Sequence, residues 1–183
     1  MIRALPAAFR TERLLAQRLD ERHLDDLGRL YAEPAVTDWF GGGRTLDEVR
    51  EWLETRAEPH WERHGFGLYA WYERQGRPAP ATFVGRAGLT VAAPDVTAAL
   101  GEPEAVELLY ALMPSQWGRG YATEIGRMLL GLALGPLDLD SVIAYTLPDN
   151  ERSQCVLEKL GFVIERDVVH EDLPHVLYRR RRG

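Results

Sequence analysis

Trp117-Gly118-Arg119-Gly120-Tyr121-Ala122-Thr123-Glu124 is the stretch on which the reading of this chain turns. A run of β-formers, Val106 to Leu112, precedes it. An apolar set at helical spacing follows it: Ile125, Met128, Leu129, Leu132 and Ala133. The two glycines carry no Cβ, so the backbone there can turn tightly and approach a ligand closely. A helix starting at this point directs unpaired N–H groups and the positive end of its dipole into the turn. Strand, glycine turn and helix N-terminus together predict a site for phosphate or pyrophosphate, and hence a nucleotide-containing ligand.

What the loop lacks narrows the ligand. A nucleoside-triphosphate loop needs Lys followed by Ser or Thr after its last glycine, and here Tyr121 and Ala122 follow. A dinucleotide fingerprint needs a third Gly or Ala near the start of a βαβ unit, whereas Gly118 lies well past the middle of the chain.

Outward from the loop, alternation and capping residues predict the other elements. Leu14 to Leu19 reads as a short strand, and Asp20 as the cap of a helix whose inner face is Leu24, Leu27, Leu30 and Tyr31. Thr45 and Glu48 have capping-box spacing, ahead of a helix expected to bury Leu46, Val49, Trp52 and Leu53. Phe66 to Tyr72 and Thr82 to Val91 read as strands joined by a turn at Gln75 to Pro80, and Val106 to Leu112 continues that meander. Ser141 to Thr146 is rich in β-formers. Asn150 can cap a helix carrying Val156, Leu157 and Leu160 that stops at Gly161. Phe162 to Val169 and Val176 to Tyr178 would close the sheet. Helices, then an antiparallel meander, then a strand–helix–strand crossover define an α+β class.

Three motifs in this order carry a family resemblance: Trp117 to Glu124, Leu147-Pro148-Asp149-Asn150-Glu151-Arg152-Ser153, and Val156-Leu157-Glu158-Lys159-Leu160-Gly161-Phe162. They resemble the GNAT acetyltransferase superfamily, and within it the RimJ/RimL-like (ribosomal-protein-alanine) N-acetyltransferase branch. Thr11 to Leu15 and Phe83 to Leu89 fit the same branch, so the likeness runs from about Thr11 to beyond Phe162. The superfamily loop usually opens on Gln or Arg, and this branch commonly has Trp, as at Trp117. The resemblance implies one GNAT domain over residues 1–183, with a mixed, mostly antiparallel sheet flanked by helices. It implies that the sheet splays where acetyl-CoA lies, with the pyrophosphate on the loop amides.

Acetyl transfer to an amine requires a neutral nucleophile, a polarised thioester carbonyl and a stabilised leaving thiolate. Glu107, an acid in an otherwise apolar strand, is the candidate base and a candidate acceptor-binding residue; the alternative is a structural charge paired with a neighbouring arginine. Glu124, in the first turn after the loop, reads as structural. By resemblance, Tyr110, Ala111 and Leu112 offer backbone groups to the acetyl and pantetheine portions. Trp117, Gly118, Arg119, Gly120, Tyr121, Ala122 and Thr123 form the pyrophosphate turn, with the Arg119 side chain either on the phosphate or in solvent. Asn150 is expected to bind the pantetheine arm, to cap its helix, or both. Ser153 is expected near the thiol as a candidate catalytic and cofactor-binding residue. Many family members place a tyrosine acid where this chain has Leu157, so that role passes to Ser153 or to water. Trp39 and Phe40, in the loop ending at Gly43, are the candidate acceptor-binding aromatics.

The remaining features mostly exclude. Lys and Arg total 22 against 28 Asp and Glu, a formal charge of −6, which argues against a general nucleic-acid partner. The run Arg179 to Arg182 reads as a solvated tail. The single cysteine, Cys155, rules out an internal disulfide, reads as a small buried side chain, and fits a reducing, cytoplasmic setting. The longest apolar stretch, near Met128 to Leu137, is broken by glycine and proline and is too short for a membrane. The five histidines lack the usual helical metal-ligand pattern, since His60 and His64 are i, i+4 without the Glu of a metalloprotease motif; they read as surface residues, and no metal is expected. The partners expected are acetyl-CoA and an amine acceptor, in a monomer or homodimer. A protein N-terminal amine is the first acceptor, a small-molecule amine the second, and a non-catalytic acyl-CoA-binding module the rival of another class.

Overall fold

The computed structural model describes residues 4–74 and 81–183, so the turn expected at Gln75 to Pro80 lies outside the described residues. One eight-stranded sheet runs through the chain: β1 (Ala8–Arg10), β2 (Leu14–Arg18), β3 (Leu68–Glu73), β4 (Thr82–Val91), β5 (Val106–Leu112), β6 (Ser141–Thr146), β7 (Val163–His170) and β8 (Leu173–Arg181). Their spatial order is β1-β2-β3-β4-β5-β6-β8-β7. Every neighbouring pair is antiparallel except β5 and β6, the α+β arrangement that the sequence predicts.

Helices cover both faces. Residues of α1 (Leu24–Tyr31) and α3 (Leu46–Trp52) pack with Leu68, Ala70, Phe83 and Ala111 on one face. Residues of α6 (Tyr121–Leu134) and α7 (Glu151–Lys159) pack with Tyr69, Trp71, Val84 and Leu108 on the other. Alternate side chains of β3 therefore enter opposite cores, which explains why that strand is apolar on both sides.

The caps predicted at Asp20 and Thr45 form. Asp20 accepts from the Arg22 amide ahead of α1, and Thr45 with Glu48 closes a capping box on α3. Short elements escaped the periodicity reading: β1, α2 (Pro34–Thr37), α4 (Glu58–His64) and α5 (Pro94–Leu100). The chain stays helical across Pro59. Leu53–Ala57 relaxes to π geometry, with the Glu58 amide donating to the Leu53 carbonyl, and the proline falls in the first turn of α4, where its missing N–H is harmless.

Four burial expectations need correction. Leu46 is 42% exposed, because the first turn of α3 stands off the core. Arg179 is only 4% exposed and is no solvated tail: it sits within β8, ion-paired to Glu165 and Glu102 and bonded to Ser141 Oγ. His23 and His175 are buried, His23 because its Nδ1 completes the Asp20 cap. Cys155, on α7, is exposed rather than buried. Among the described residues, no helix is long and apolar enough to cross a membrane.

Candidate active site

The parallel seam is where the sheet opens. β4 and β5 share a ladder from Gly85↔Leu112 to Val91↔Val106, but β5 and β6 meet in register only at Glu107↔Ile143. Beyond Glu107, the groups of Leu108 to Leu112 that face β6 have no ladder partner, so the strands diverge and leave polar backbone at the edge of a gap. A cavity of about 1640 Å³ occupies that gap and continues beneath α1 and α3.

The glycine loop forms one end. Gly118 and Gly120 both have positive φ, 72° and 78°, which an L side chain adopts only with strain. Among the described residues, no backbone hydrogen bond engages the amides of residues 118–123, and no side chain caps α6. Successive free N–H groups at the start of a 14-residue helix make a concave, electropositive site for an oxyanion.

The loop is held from outside. Arg13 Nε donates to Glu124 Oε2 at 2.6 Å and its Nη1 to the Arg119 carbonyl at 2.8 Å, while its guanidinium stacks on Tyr121. The Thr11 hydroxyl and the Arg13 amide both donate to Glu124 Oε1. Burial would raise the Glu124 pKa, but these donors outweigh it and hold the carboxyl below its usual range. Glu124 thus anchors the loop to the β1–β2 segment. Arg119 points away from the amides, bonded to Glu73 and Gln116, and the Tyr121 hydroxyl joins it on Glu73. The Trp117 indole Nε1 donates to the Leu112 carbonyl at 2.8 Å, fastening the loop to the end of β5, and Arg152 lies over its ring.

The structure brings most of the predicted residues to one cavity wall. Gly118, Gly120, Tyr121, Ala122 and Thr123 line it, as do Tyr110, Ala111 and Leu112; Arg119 does not. Asn150 caps α7 by accepting from the Ser153 amide at 3.1 Å, and both residues face the gap. Trp39, Phe40 and Glu107 line the acceptor side.

Glu107 is 8% exposed. Burial pushes its carboxyl pKa up. Hydrogen bonding from Tyr145 and from the Thr90 hydroxyl, at 2.9 Å from Oε1, opposes that rise, as do the more distant charges of His170 and Arg86. It forms no ion pair with a neighbouring arginine among the described residues. A buried carboxyl whose pKa is moved toward neutrality is suited to accept a proton.

Sequence reasoning missed several side chains. The Tyr110 hydroxyl crosses the gap to Ser153, 2.9 Å from its Oγ, and burial pushes the phenol up to about 12. Leu157, where a tyrosine acid was looked for, is 1% exposed and sits in the core. Tyr145 reaches Glu107 from β6, a contact without any local sequence signal. Arg86 interrupts an apolar strand as Glu107 does, so the rule that singled out Glu107 applies to it equally. Among the described residues, no group of three or more His, Cys, Asp or Glu is arranged to hold a metal ion.

A splayed sheet with a row of free amides at one end and a buried carboxyl at its root is the geometry that the GNAT resemblance implies. The family profile described as acetyltransferase (GNAT) domain matches residues 13–163, and the chain belongs to that family of acetyltransferases, whose members use acetyl-CoA. It is 24% identical over 172 residues to the uncharacterized protein YkkB of Bacillus subtilis (strain 168), covering 93% of this chain and 94% of that one. Its fold matches the crystal structure of the acetyltransferase from Agrobacterium tumefaciens str. C58 with a TM-score of 0.80 at 22% identity, over 98% and 96% of the two chains. Structures of the same fold include the aminoglycoside acetyltransferase AAC(6')-Ib with coenzyme A (TM-score 0.71, 22% identity, 92% and 95% covered). Another is RimL, a ribosomal L7/L12 alpha-N-protein acetyltransferase, also with coenzyme A (TM-score 0.74, 16% identity, 96% of each chain covered).

Proposed function

We propose that this chain is a single-domain N-acetyltransferase of the RimJ/RimL-like branch that moves the acetyl group of acetyl-CoA to a primary amine, a protein N-terminal amine first. The observation that carries the reading is the conjunction of a row of unengaged loop amides with a β5–β6 seam paired only at Glu107↔Ile143. The amides of Gly118 to Thr123 hold the pyrophosphate, and the open edge of β5 from Tyr110 to Leu112 holds the pantetheine arm and polarises the thioester carbonyl. Asn150 and Ser153 border the arm from the other side of the gap.

In this reading Glu107 takes the proton from the attacking ammonium, directly or through water. The amine nitrogen then bonds to the carbonyl carbon, the carbon–sulfur bond breaks, and the second proton of the nitrogen passes to water and from there to the sulfur. Ser153 Oγ, held by the Tyr110 hydroxyl, hydrogen-bonds the departing sulfur. A thiol pKa near 8.5 lets the thiolate leave and take its proton from water, so Leu157 costs the reaction little. Trp117, common in this branch, fastens the loop to β5 through its indole N–H, which supports the branch assignment.

A small-molecule amine is the second acceptor reading. The buried Tyr31 and the half-buried Trp39 and Trp52 favour it, because they give the acceptor side an enclosed aromatic wall. The test is thiol release from acetyl-CoA with a panel of N-terminal peptides and small amines. Turnover confined to peptides supports the first acceptor, turnover confined to small amines the second. Acetyl-CoA binding without turnover on any amine would overturn the reaction.

A further inference from the structure

Arg86, on β4, is 7% exposed and lines the cavity on its acceptor side. Three aromatic rings surround its guanidinium: Tyr31 and Trp52 with centroids at 5.3 Å, and Phe40 at 5.5 Å. Rings satisfy the faces of the ion and leave the in-plane N–H groups unmet. Its Nε is buried without a hydrogen-bond partner, and among the described residues Arg86 forms no ion pair. The hydroxyl of Tyr31, on whose ring the guanidinium rests, is likewise buried and unpartnered. Arg44 stacks on the same Tyr31 ring at 5.0 Å, adding a second positive charge to this wall.

A structural role does not explain such a group. The other deeply buried arginine among the described residues, Arg179, is met by Glu165, Glu102 and Ser141. A buried charge without a counter-charge is costly, and a buried donor without an acceptor costs about 1–3 kcal/mol. The acidic side chains that border this end of the cleft, Glu48, Glu51 and Glu171, are exposed; Glu48 is turned onto the Thr45 cap, and the Glu171 carboxyl lies beside Gly41.

We infer that Arg86, with the Tyr31 hydroxyl, binds a carboxylate carried by the amine acceptor. A planar fork of N–H donors fits a carboxylate in bidentate fashion, and the aromatic cage fixes the plane of that fork. The Thr90↔Glu107 pair lies further along the same ladder as Arg86↔Ala111, and Arg86, Thr90, Glu107 and Ala111 share one face of the sheet. An acceptor can therefore place its amine at Glu107 and its carboxylate at Arg86. The carboxylate comes either from a free amino acid or from an acidic side chain close to a peptide N-terminus. A polycationic amine would be repelled by the same wall. This inference rests on the acetyl-transfer reading above.

The test compares matched acceptors that differ only in charge. Each α-amino acid is set against its carboxamide, and each short peptide with Asp or Glu at its second position against the Asn or Gln peptide. The wild-type enzyme is expected to favour the acid over the amide in kcat/KM within at least one pair type, and the pair type that shows the preference identifies the source. Arg86→Met should lower kcat/KM for the acid roughly 10- to 100-fold, the size of a lost charged hydrogen bond, and leave the amide and the acetyl-CoA KM unchanged. Equal wild-type values for acid and amide in both pair types overturn the proposal, as does an acid preference that survives in Arg86→Met. If that variant does not fold, Arg86→Lys replaces it, with a reduced preference expected and an unchanged one refuting. If no amine turns over, the acetyl-transfer reading fails instead. Calorimetric binding of the same pairs to the CoA-bound wild type and variant then decides the carboxylate site by the same criterion.

Discussion

Glu107→Gln separates a base from a structural charge. The side chain is 8% exposed and accepts from Thr90 Oγ1 at 2.9 Å. Glutamine has the same shape, keeps an oxygen for that hydroxyl, and offers an N–H₂ that the rotatable Tyr145 hydroxyl can accept. The substitution therefore removes charge and basicity with little loss of packing. If Glu107 takes the proton, the acetylation rate should fall about 10²–10⁴-fold, or about 3–5 kcal/mol of transition-state stabilisation at 1.36 kcal/mol per decade. The acetyl-CoA dissociation constant should stay unchanged, because Glu107 lies at the root of the seam and apart from the loop amides.

The pH dependence supplies two signatures. Burial raises the Glu107 pKa, so the parent's rate should climb with pH through a point above the ordinary 4.5, a limb that the variant lacks. The variant's deficit should shrink as the pH nears the amine's own pKa, where the nucleophile needs no base. Stability runs the other way. A raised carboxyl pKa means that the folded chain binds this proton more tightly than the unfolded chain. That contribution is fully present below about 4.5 and is lost as the pH rises through the folded value. Glu107→Gln should therefore melt above the parent on the alkaline side and converge with it as the pH falls. Stopped-time assays of thiol release across pH, with thermal melts at the same values, check both. A pH–rate profile equal to the parent's in height and shape would sink the assignment and leave Glu107 as a structural charge.

The other expectations concern separate parts of the structure. Gly120→Val puts a β-branched side chain at φ 78° beside the amides, a strain of about 1–2 kcal/mol that a domain of this size tolerates. Calorimetry should show acetyl-CoA binding abolished in a folded protein, and unchanged affinity would remove the loop from the site. Tyr110→Phe removes the partner of Ser153 Oγ and should reduce kcat by up to about tenfold, the worth of one neutral hydrogen bond, with an unchanged far-ultraviolet spectrum. Arg179→Met strands Glu165 and Glu102. It should destabilise the fold by about 2–3 kcal/mol, below the loss from a fully buried pair because Glu102 is 47% exposed, while activity per folded molecule stays the same in urea-titrated samples.

Strong local signals left their marks plainly in the sequence. The caps at Asp20 and Thr45, the bounds of β4, β5 and β6, and the positive-φ stop at Gly161 follow from capping chemistry and periodicity, which depend on neighbours a few residues away. The glycine loop was legible for the same reason: its chemistry is backbone chemistry, and strand, turn and helix N-terminus are contiguous. Side-chain partnerships across the sheet were not. Whether Arg119 would face the amides or Glu73 depended on where β3 lies, 46 residues earlier, and Arg179 looked like a tail until β7 and the Glu102 turn closed over it. The link between Tyr110 and Ser153 exists because β5 and α7 border one gap, and the orphaned state of Arg86 because α1 and α3 fold aromatic rings over a strand that they never pair with. Local sequence determined where the chain turns, caps and cradles an anion. Which charges are matched across the cavity, and which is left for a ligand, was decided only when elements distant in sequence packed together, since burial and counter-charges are properties of the assembled surroundings.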